Sequence, residues 1–137
     1  MNIQNNISLK SYNTFGIDVI AKQFVSINSV VELKEVLITQ NHQSKFILGG
    51  GSNILFTIDY RGWILKNNIK GTKILSEDDN SVTLKVGAGE NWHEFVLYCI
   101  KNNWAGIENL SLIPGVVGAA PIQNIGAYGV EIADCLE

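Results

Sequence analysis

Polar and apolar residues alternate over 23–27 (QFVSI), the period of a half-buried strand. Ser29 and Glu32 then stand in the S-x-x-E spacing that opens a helix. Behind them Val30, Leu33, Val36 and Leu37 share one helical face. The pattern predicts a helix to about Gln40, fading in the polar NHQS. Residues 45–48 (KFIL) predict a short buried strand that ends abruptly in GGGSN, and ILF follows as another apolar piece. WILK and KILS predict short strands with Gly71 between them; SEDDNS predicts a turn, and VTLKVG alternates as a strand. Asn91 is placed to cap the next helix, with Glu94 at its third position. Trp92, Phe95, Val96, Cys99 and Ile100 follow the i, i+3, i+4, i+7, i+8 spacing of a buried stripe, and Gly106 is the expected stop. The opening MNIQNN is polar and gives no period.

From Leu110 the periodicity dissolves. Between Glu108 and Glu131 lie 22 residues without a formal charge, long enough for a membrane span. Pro114, Pro121, four glycines, Asn109, Gln123 and Asn124 argue against one. The segment is expected to be irregular, buried backbone lining a site. There is no internal repeat and no low-complexity stretch.

Composition narrows the field. At 46% hydrophobic and 17% charged residues, the chain is too apolar to be disordered. Its net charge is −3 and no block of five like charges occurs, so neither nucleic acid nor a membrane surface is an expected partner. Cys99 and Cys135 fit no metal-ligand spacing, and no metal is expected. The N-terminus lacks the features of a signal peptide, so the expected location is the cytoplasm. The informative residue is glycine: nine of 13 fall in three clusters, Gly49–Gly51, Gly87/Gly89 and Gly115/Gly118/Gly126/Gly129.

Clustered glycine marks backbone that must approach something closely or adopt positive φ. GGGSN (49–53) offers consecutive N–H groups without Cβ atoms, a concave donor set suited to phosphate. It is neither G-x-x-x-x-G-K-[ST] nor G-x-G-x-x-G. GAGENW (87–92) begins as G-x-G but has Trp92 where a Rossmann loop needs a small residue. The competing reading of both is a tight turn between strands. In PGVVGAAPIQNIGAYG (114–129), small residues would let a flat ligand pack on the backbone, and Gln123 and Asn124 offer amides to a heterocycle. Tyr128 carries a hydroxyl between glycines; a self-satisfied buried loop remains the alternative. His42 and His93 are expected on the surface, Arg61 in a turn and Cys99 in the core. Glu108 either orients the following loop or is simply exposed, and Cys135 tells little. Neither a Ser/His/Asp arrangement nor a carboxylate pair is recognisable.

NTFGID (13–18), LGGGSNILF (48–56), DYRG (59–62), VGAGENWHEFV (86–96) and ENLSLIPGVVGAAPIQNIGAYGVE (108–131) together resemble the N-terminal part of the UDP-N-acetylenolpyruvoylglucosamine reductase family. The resemblance implies an α+β, vanillyl-alcohol-oxidase-type FAD-binding fold. Its first lobe is expected over 1–68 and its second over 69–137, with the second truncated and a substrate domain absent. It implies FAD as cofactor, its pyrophosphate held by Gly49, Gly50, Gly51, Ser52 and Asn53. Pro114, Gly115, Gly118, Ala119, Ala120, Gln123, Asn124 and Gly126 would line the flavin, and Tyr128 would touch the sugar-nucleotide substrate. NADPH would reduce the flavin, which then reduces the enolpyruvyl substrate to UDP-N-acetylmuramate for peptidoglycan. The family's catalytic arginine, serine and glutamate are expected beyond Glu137, so no catalytic residue is assigned here. The alternatives are a cofactor-binding module without catalysis and another FAD oxidoreductase of the same superfamily.

Overall fold

The computed structural model describes residues 2–39 and 43–137. The expected helix end at Gln40 and the surface position of His42 lie outside the described residues. The chain divides into two compact units, Met1–Ile69 and Lys70–Glu137.

The first unit is built on a four-stranded sheet. Strands β1 (Ile3–Ser8), β2 (Ile20–Ile27), β3 (Lys45–Leu48) and β4 (Tyr60–Asn67) lie in the order β1-β2-β4-β3. β1 is antiparallel to β2; β4 runs parallel to both β2 and β3. The run Gly62–Leu65 is buried because β4 is central and packs on both faces. Trp63 and Leu65 join Val25, Ile27 and Val36 on one side. Ile64 joins Phe24, Leu48 and Phe56 on the other. Helix α1 (Val30–Thr39) is capped as expected, with the Glu32 N–H donating to Ser29 Oγ at 3.2 Å. Its Glu32 carboxylate accepts from the Asn28 N–H at 2.7 Å, one residue before the cap.

Four expectations for this unit need correction. The α1 stripe is narrower than its periodicity suggests: Val36 is buried and Leu33 packs beside it, while Val30 and Leu37 are exposed. KFIL is a sheet edge, so Ile47 is exposed and only Leu48 is fully buried. The polar opening is strand β1, also an edge, laddered to β2 and resting on the core through Ile7. Arg61, expected in a turn, lies in β4.

Asn13 is the buried polar residue of this unit. Its Nδ2 donates to the Leu9 and Ile17 carbonyls at 2.7 and 3.0 Å, and its Oδ1 accepts from the Ile17 N–H at 3.0 Å. One side chain thereby closes the loop that leads into β2.

The second unit opens with the antiparallel hairpin β5 (Thr72–Glu77) and β6 (Val82–Val86). Asp78 closes it by accepting from the N–H groups of Asn80 and Ser81, both at 2.8 Å, and these bonds hold its carboxyl below the usual range. Helix α2 (Trp92–Lys101) follows, with Asn91 Oδ1 accepting from the Glu94 N–H at 3.0 Å. Trp92, Val96 and Cys99 are buried and Phe95 packs beside them; Ile100, expected on the stripe, is exposed.

The α2 stop is Asn103, and not Gly106. Asn103 sits at φ 59, its N–H donates to the Ile100 carbonyl, and the Trp104 N–H reaches back to the Cys99 carbonyl. That bond pair is the Schellman ending, with asparagine in the left-handed position glycine usually takes. Beyond it come short 3-10 turns at Glu108–Leu110 and Val117–Ala119 and helix α3 (Ala120–Gln123). The hairpin β7 (Gly126–Ala127) and β8 (Val130–Glu131) and a last 3-10 turn at Ile132–Cys135 complete the unit.

Replacing Asn13 by Ala strands the Ile17 N–H and carbonyl, while the Leu9 carbonyl keeps the Tyr12 N–H at 2.9 Å. The substitution should cost about 2–4 kcal/mol, read as a lower urea midpoint. Burial pushes the Cys99 thiol up from 9.0 to about 11. The stability contributed by its neutral form is complete below the unfolded value and is lost as pH rises through the folded one. The melting temperature of the parent should therefore fall more steeply between pH 9 and 11 than that of Cys99→Ala.

Candidate functional site

In the first unit the glycine loop leaves the C-terminal end of β3, the end at which parallel strands present ligand-binding loops. Its shape is set by one backbone contact. Gly51 is buried at φ 71, and a Cβ there would run into the Tyr12 carbonyl oxygen. The Gly51 carbonyl accepts from the Thr14 N–H at 3.0 Å, tying the loop to the NTFGID segment. Gly51 thus serves the loop's own fold. Gly50 is exposed, Gly49 and Ser52 are half-buried and Asn53 is exposed. Among the described residues no hydrogen bond uses the N–H of Gly50 or Ser52. Lys66, on β4, donates from Nζ to the Gly49 carbonyl at 2.8 Å. Unspent N–H donors beside an ammonium group fit a diphosphate.

At the other end of the same sheet, Arg61, Tyr60, Ser44 and Asp59 line an open groove of about 920 Å³. The Asp59 carboxylate is engaged by the Ile20 N–H at 2.7 Å.

In the second unit, the second and third glycine clusters lie backbone to backbone. Gly118 donates to the Ala88 carbonyl at 2.9 Å, Val117 to the Glu90 carbonyl at 2.9 Å, and Trp92 to the Gly115 carbonyl at 3.1 Å. A Cβ on Gly118 would lie 2.6 Å from the Ala88 Cβ and 3.0 Å from its carbonyl oxygen. GAGENWH is therefore the template along which LSLIPGVVG is laid. The buried Trp92 indole N–H holds the Leu110 carbonyl at 2.7 Å. His93 Nδ1 accepts from the Leu112 N–H at 3.3 Å and meets Ser111 Oγ at 3.0 Å. This acceptor role places the ring proton on Nε2 and makes Ser111 the donor. Leu112 is held at φ 64, a strained setting for leucine, by these contacts. His93 is thus half-buried and engaged, where the sequence reading put it on the surface.

The segment expected to be buried backbone is divided: Leu110, Val116 and Ala120 are buried and 117–119 half-buried, while 121–124 are exposed. Pro114 is exposed, and Pro121, Ile122, Gln123 and Asn124 face outward because α3 is a single short helix with Ala120 as its one buried residue. Ala120 belongs to the core with Trp92 and Val96, Gly115 and Ala119 are half-buried, and Gly126 is pressed against Glu131 of its own hairpin. Asn124, in the left-handed region at φ 42, donates from Nδ2 to Glu131 at 2.7 Å. Tyr128 and Gly129 form the two-residue turn of β7–β8, both at positive φ (54 and 83). Such turns favour asparagine and glycine. Tyr128 is nevertheless there, 92% exposed, with its ring fully presented.

Of the remaining candidates, Glu108 orients the residues before it and not the loop after it. Its carboxylate accepts from the Gly106 N–H at 2.6 Å, and main-chain bonds to Glu108 and Gly106 lower its carboxyl. Glu90 is held low chiefly by the Gly71 N–H at 2.7 Å, with Lys70 at 3.3 Å. Cys99 is in the core as expected, and Cys135 is exposed. Among the described residues there is no cluster able to hold a metal ion, and no helix is long and apolar enough to cross a membrane.

A family profile described as "FAD binding domain" matches residues 21–137. The UDP-N-acetylenolpyruvoylglucosamine reductase of Flavobacterium johnsoniae is 55% identical over 134 residues, 98% of this chain and 40% of that protein. The protein of the same name from Bacteroides fragilis is 49% identical over 135 residues, 98% of this chain and 41% of that protein. The chain thus spans about two-fifths of the length of these relatives. The crystal structure of UDP-N-acetylenolpyruvylglucosamine reductase from Thermus caldophilus matches with TM-score 0.74 at 25% identity, covering 98% of this chain and 46% of that one. The α+β FAD-binding fold implied by the motifs is the fold observed.

Gly118→Ala should lower stability by about 2 kcal/mol or more, because backbone and the Ala88 methyl already fill the space. Ala88→Gly combined with it should restore part of the loss, since the closest of the three contacts is removed. A double-mutant cycle by urea unfolding measures both. Additive losses would show that the two glycine segments do not meet there.

Proposed function

The chain belongs to the FAD-binding-domain family, and from that premise we propose that it is the FAD-binding portion of a UDP-N-acetylenolpyruvoylglucosamine reductase. The observation that carries this reading is 55% identity, over 98% of this chain, to a protein of that name. When bound, FAD would supply the hydride relay between NADPH and the enolpyruvyl group of the UDP-sugar. The residues here bind and orient it; the catalytic side chains lie outside this stretch. The proposed setting is the cytoplasm, where the product feeds peptidoglycan synthesis.

Gly49, Gly50, Ser52 and Asn53 form the loop proposed for the FAD pyrophosphate. The Gly50 and Ser52 N–H groups are the donors it would use, and Gly51 fixes their direction through its packing on Tyr12. The exposed face of 114–126 is the surface proposed for the flavin, with Pro114, Gly115, Ala119, Gln123 and Asn124 on the ligand side. Gly118, Ala120 and Gly126 act one step back. They let that backbone lie flat on Ala88, on the core and on Glu131. Tyr128, strained and exposed at its turn, is the proposed contact to the sugar nucleotide.

The full-length protein should purify with flavin absorbance, oxidise one equivalent of NADPH per flavin without the sugar, and turn NADPH over in step with consumption of the enolpyruvyl UDP-sugar. A colourless protein that no FAD titration can reconstitute would reject the reading. Gly50→Val should weaken FAD binding about tenfold or more by blocking the N–H approach. Tyr128→Phe should raise the KM for the UDP-sugar and leave FAD bound; unchanged kinetics would remove Tyr128 from the site.

A further inference from the structure

Among the described residues, positive φ at non-glycine positions occurs at Asn6, Asn103, Leu112, Asn124 and Tyr128. Asparagine tolerates the left-handed region, and Tyr128 sits in a hairpin turn. Leu112, at φ 64, is the case without an excuse of its own. Its side chain is 77% exposed and belongs to no core cluster, so packing within this unit does not offset the strain.

The strain is held by side chains of α2. His93 Nδ1 accepts from the Leu112 N–H at 3.3 Å and from Ser111 Oγ at 3.0 Å. The buried Trp92 indole donates to the Leu110 carbonyl at 2.7 Å. Three successive residues are thus gripped from one helical turn, and the outcome is an apolar side chain turned outward. Its neighbour Ile113 packs on the core with Trp92 and Val96, and Pro114, exposed, opens the surface proposed for the flavin. Strain that a fold maintains without a packing gain of its own points to a ligand contact.

We propose that Leu112 is a further contact of the cofactor, meeting the apolar dimethylbenzene part of the isoalloxazine, and that His93 is the positioning residue that presents it. The inference rests on the FAD reading. Leucine carries no donor or acceptor, so it suits the apolar part of the ring and neither the pyrimidine part nor the pyrophosphate. His93 acts through Leu112 and touches neither cofactor nor substrate.

The test is titration of the flavin-free full-length protein with FAD, with the visible circular dichroism of the bound flavin and the urea midpoint of the flavin-free protein recorded alongside. Leu112→Gly keeps φ 64 accessible and deletes the contact. It should weaken FAD binding about tenfold and alter the flavin bands, without lowering the urea midpoint. His93→Ala should weaken FAD binding in the wild-type background and add little to Leu112→Gly. His93→Asn, whose amide oxygen can stand in for Nδ1, should recover most of the affinity.

Wild-type FAD affinity in Leu112→Gly would overturn the proposal. So would weaker binding with unaltered flavin bands, which would put the leucine away from the ring. A urea midpoint that falls together with FAD affinity in Leu112→Gly would show that the leucine packs on another part of the full-length chain, and would overturn it too. Additive losses from His93→Ala and Leu112→Gly would remove His93 from its positioning role. If the wild type binds no flavin, the FAD reading itself fails.

Discussion

Where Gly51 lies against Tyr12 there is no room for a methyl group, and the shape of the first unit's glycine loop depends on that fact. The contact fixes Gly51 at positive φ and spends its carbonyl on Thr14. The N–H groups of its neighbours then remain available and the Gly49 carbonyl turns toward Lys66. The same constraint recurs independently in the second unit, where Gly118 lies on Ala88. In both places glycine is needed for the chain to touch itself, and the proposed ligand surface is what this self-contact leaves exposed. A run of three glycines therefore divides its labour: one residue holds the loop, while its neighbours are free for a partner.

A second theme is that short polar contacts, more than core volume, shape the loops. Asn13 closes the segment that receives Gly51. Trp92 and His93, adjacent on the first turn of α2, take hold of Leu110, Ser111 and Leu112 by three hydrogen bonds. Those bonds deliver the chain to Pro114 in a conformation that leucine at φ 64 would not choose alone. Tyr128 is a parallel case, with strain at the turn buying full exposure of its ring. Positive φ at Leu112, Asn124 and Tyr128 falls in or beside the proposed flavin and substrate surfaces, while at Asn6 and Asn103 it does not.

Much of this was legible in the sequence where the causes are local. The α2 cap at Asn91 and its buried residues Trp92, Val96 and Cys99 follow from spacing alone, because capping and helical periodicity act within a few residues. The three glycine clusters announced close approach, and the motif set named the family. What stayed hidden depends on partners distant in the chain. Strand β1 shows only Ile3 and Ile7 among polar residues, and Ile7 alone packs on the core, too sparse a pattern to read as a strand. Val30 and Leu37 have the right period but nothing packs over them. Asn103 took the helix-ending role that composition assigned to Gly106, because asparagine tolerates the left-handed region. The exposure of 121–124 could not be inferred from its lack of charge, and Lys66 needed the β3–β4 register to be seen at all.

The central claim is a division between glycines that hold the backbone and N–H groups that face the cofactor. Backbone amide NMR of the full-length protein, titrated with FAD, measures it most directly. The N–H signals of Gly50 and Ser52 should shift and gain protection from exchange, while the Gly118 N–H, already given to Ala88, stays protected throughout. Unmoved Gly50 and Ser52 signals, or a Gly118 N–H that becomes protected only on FAD binding, would contradict the account.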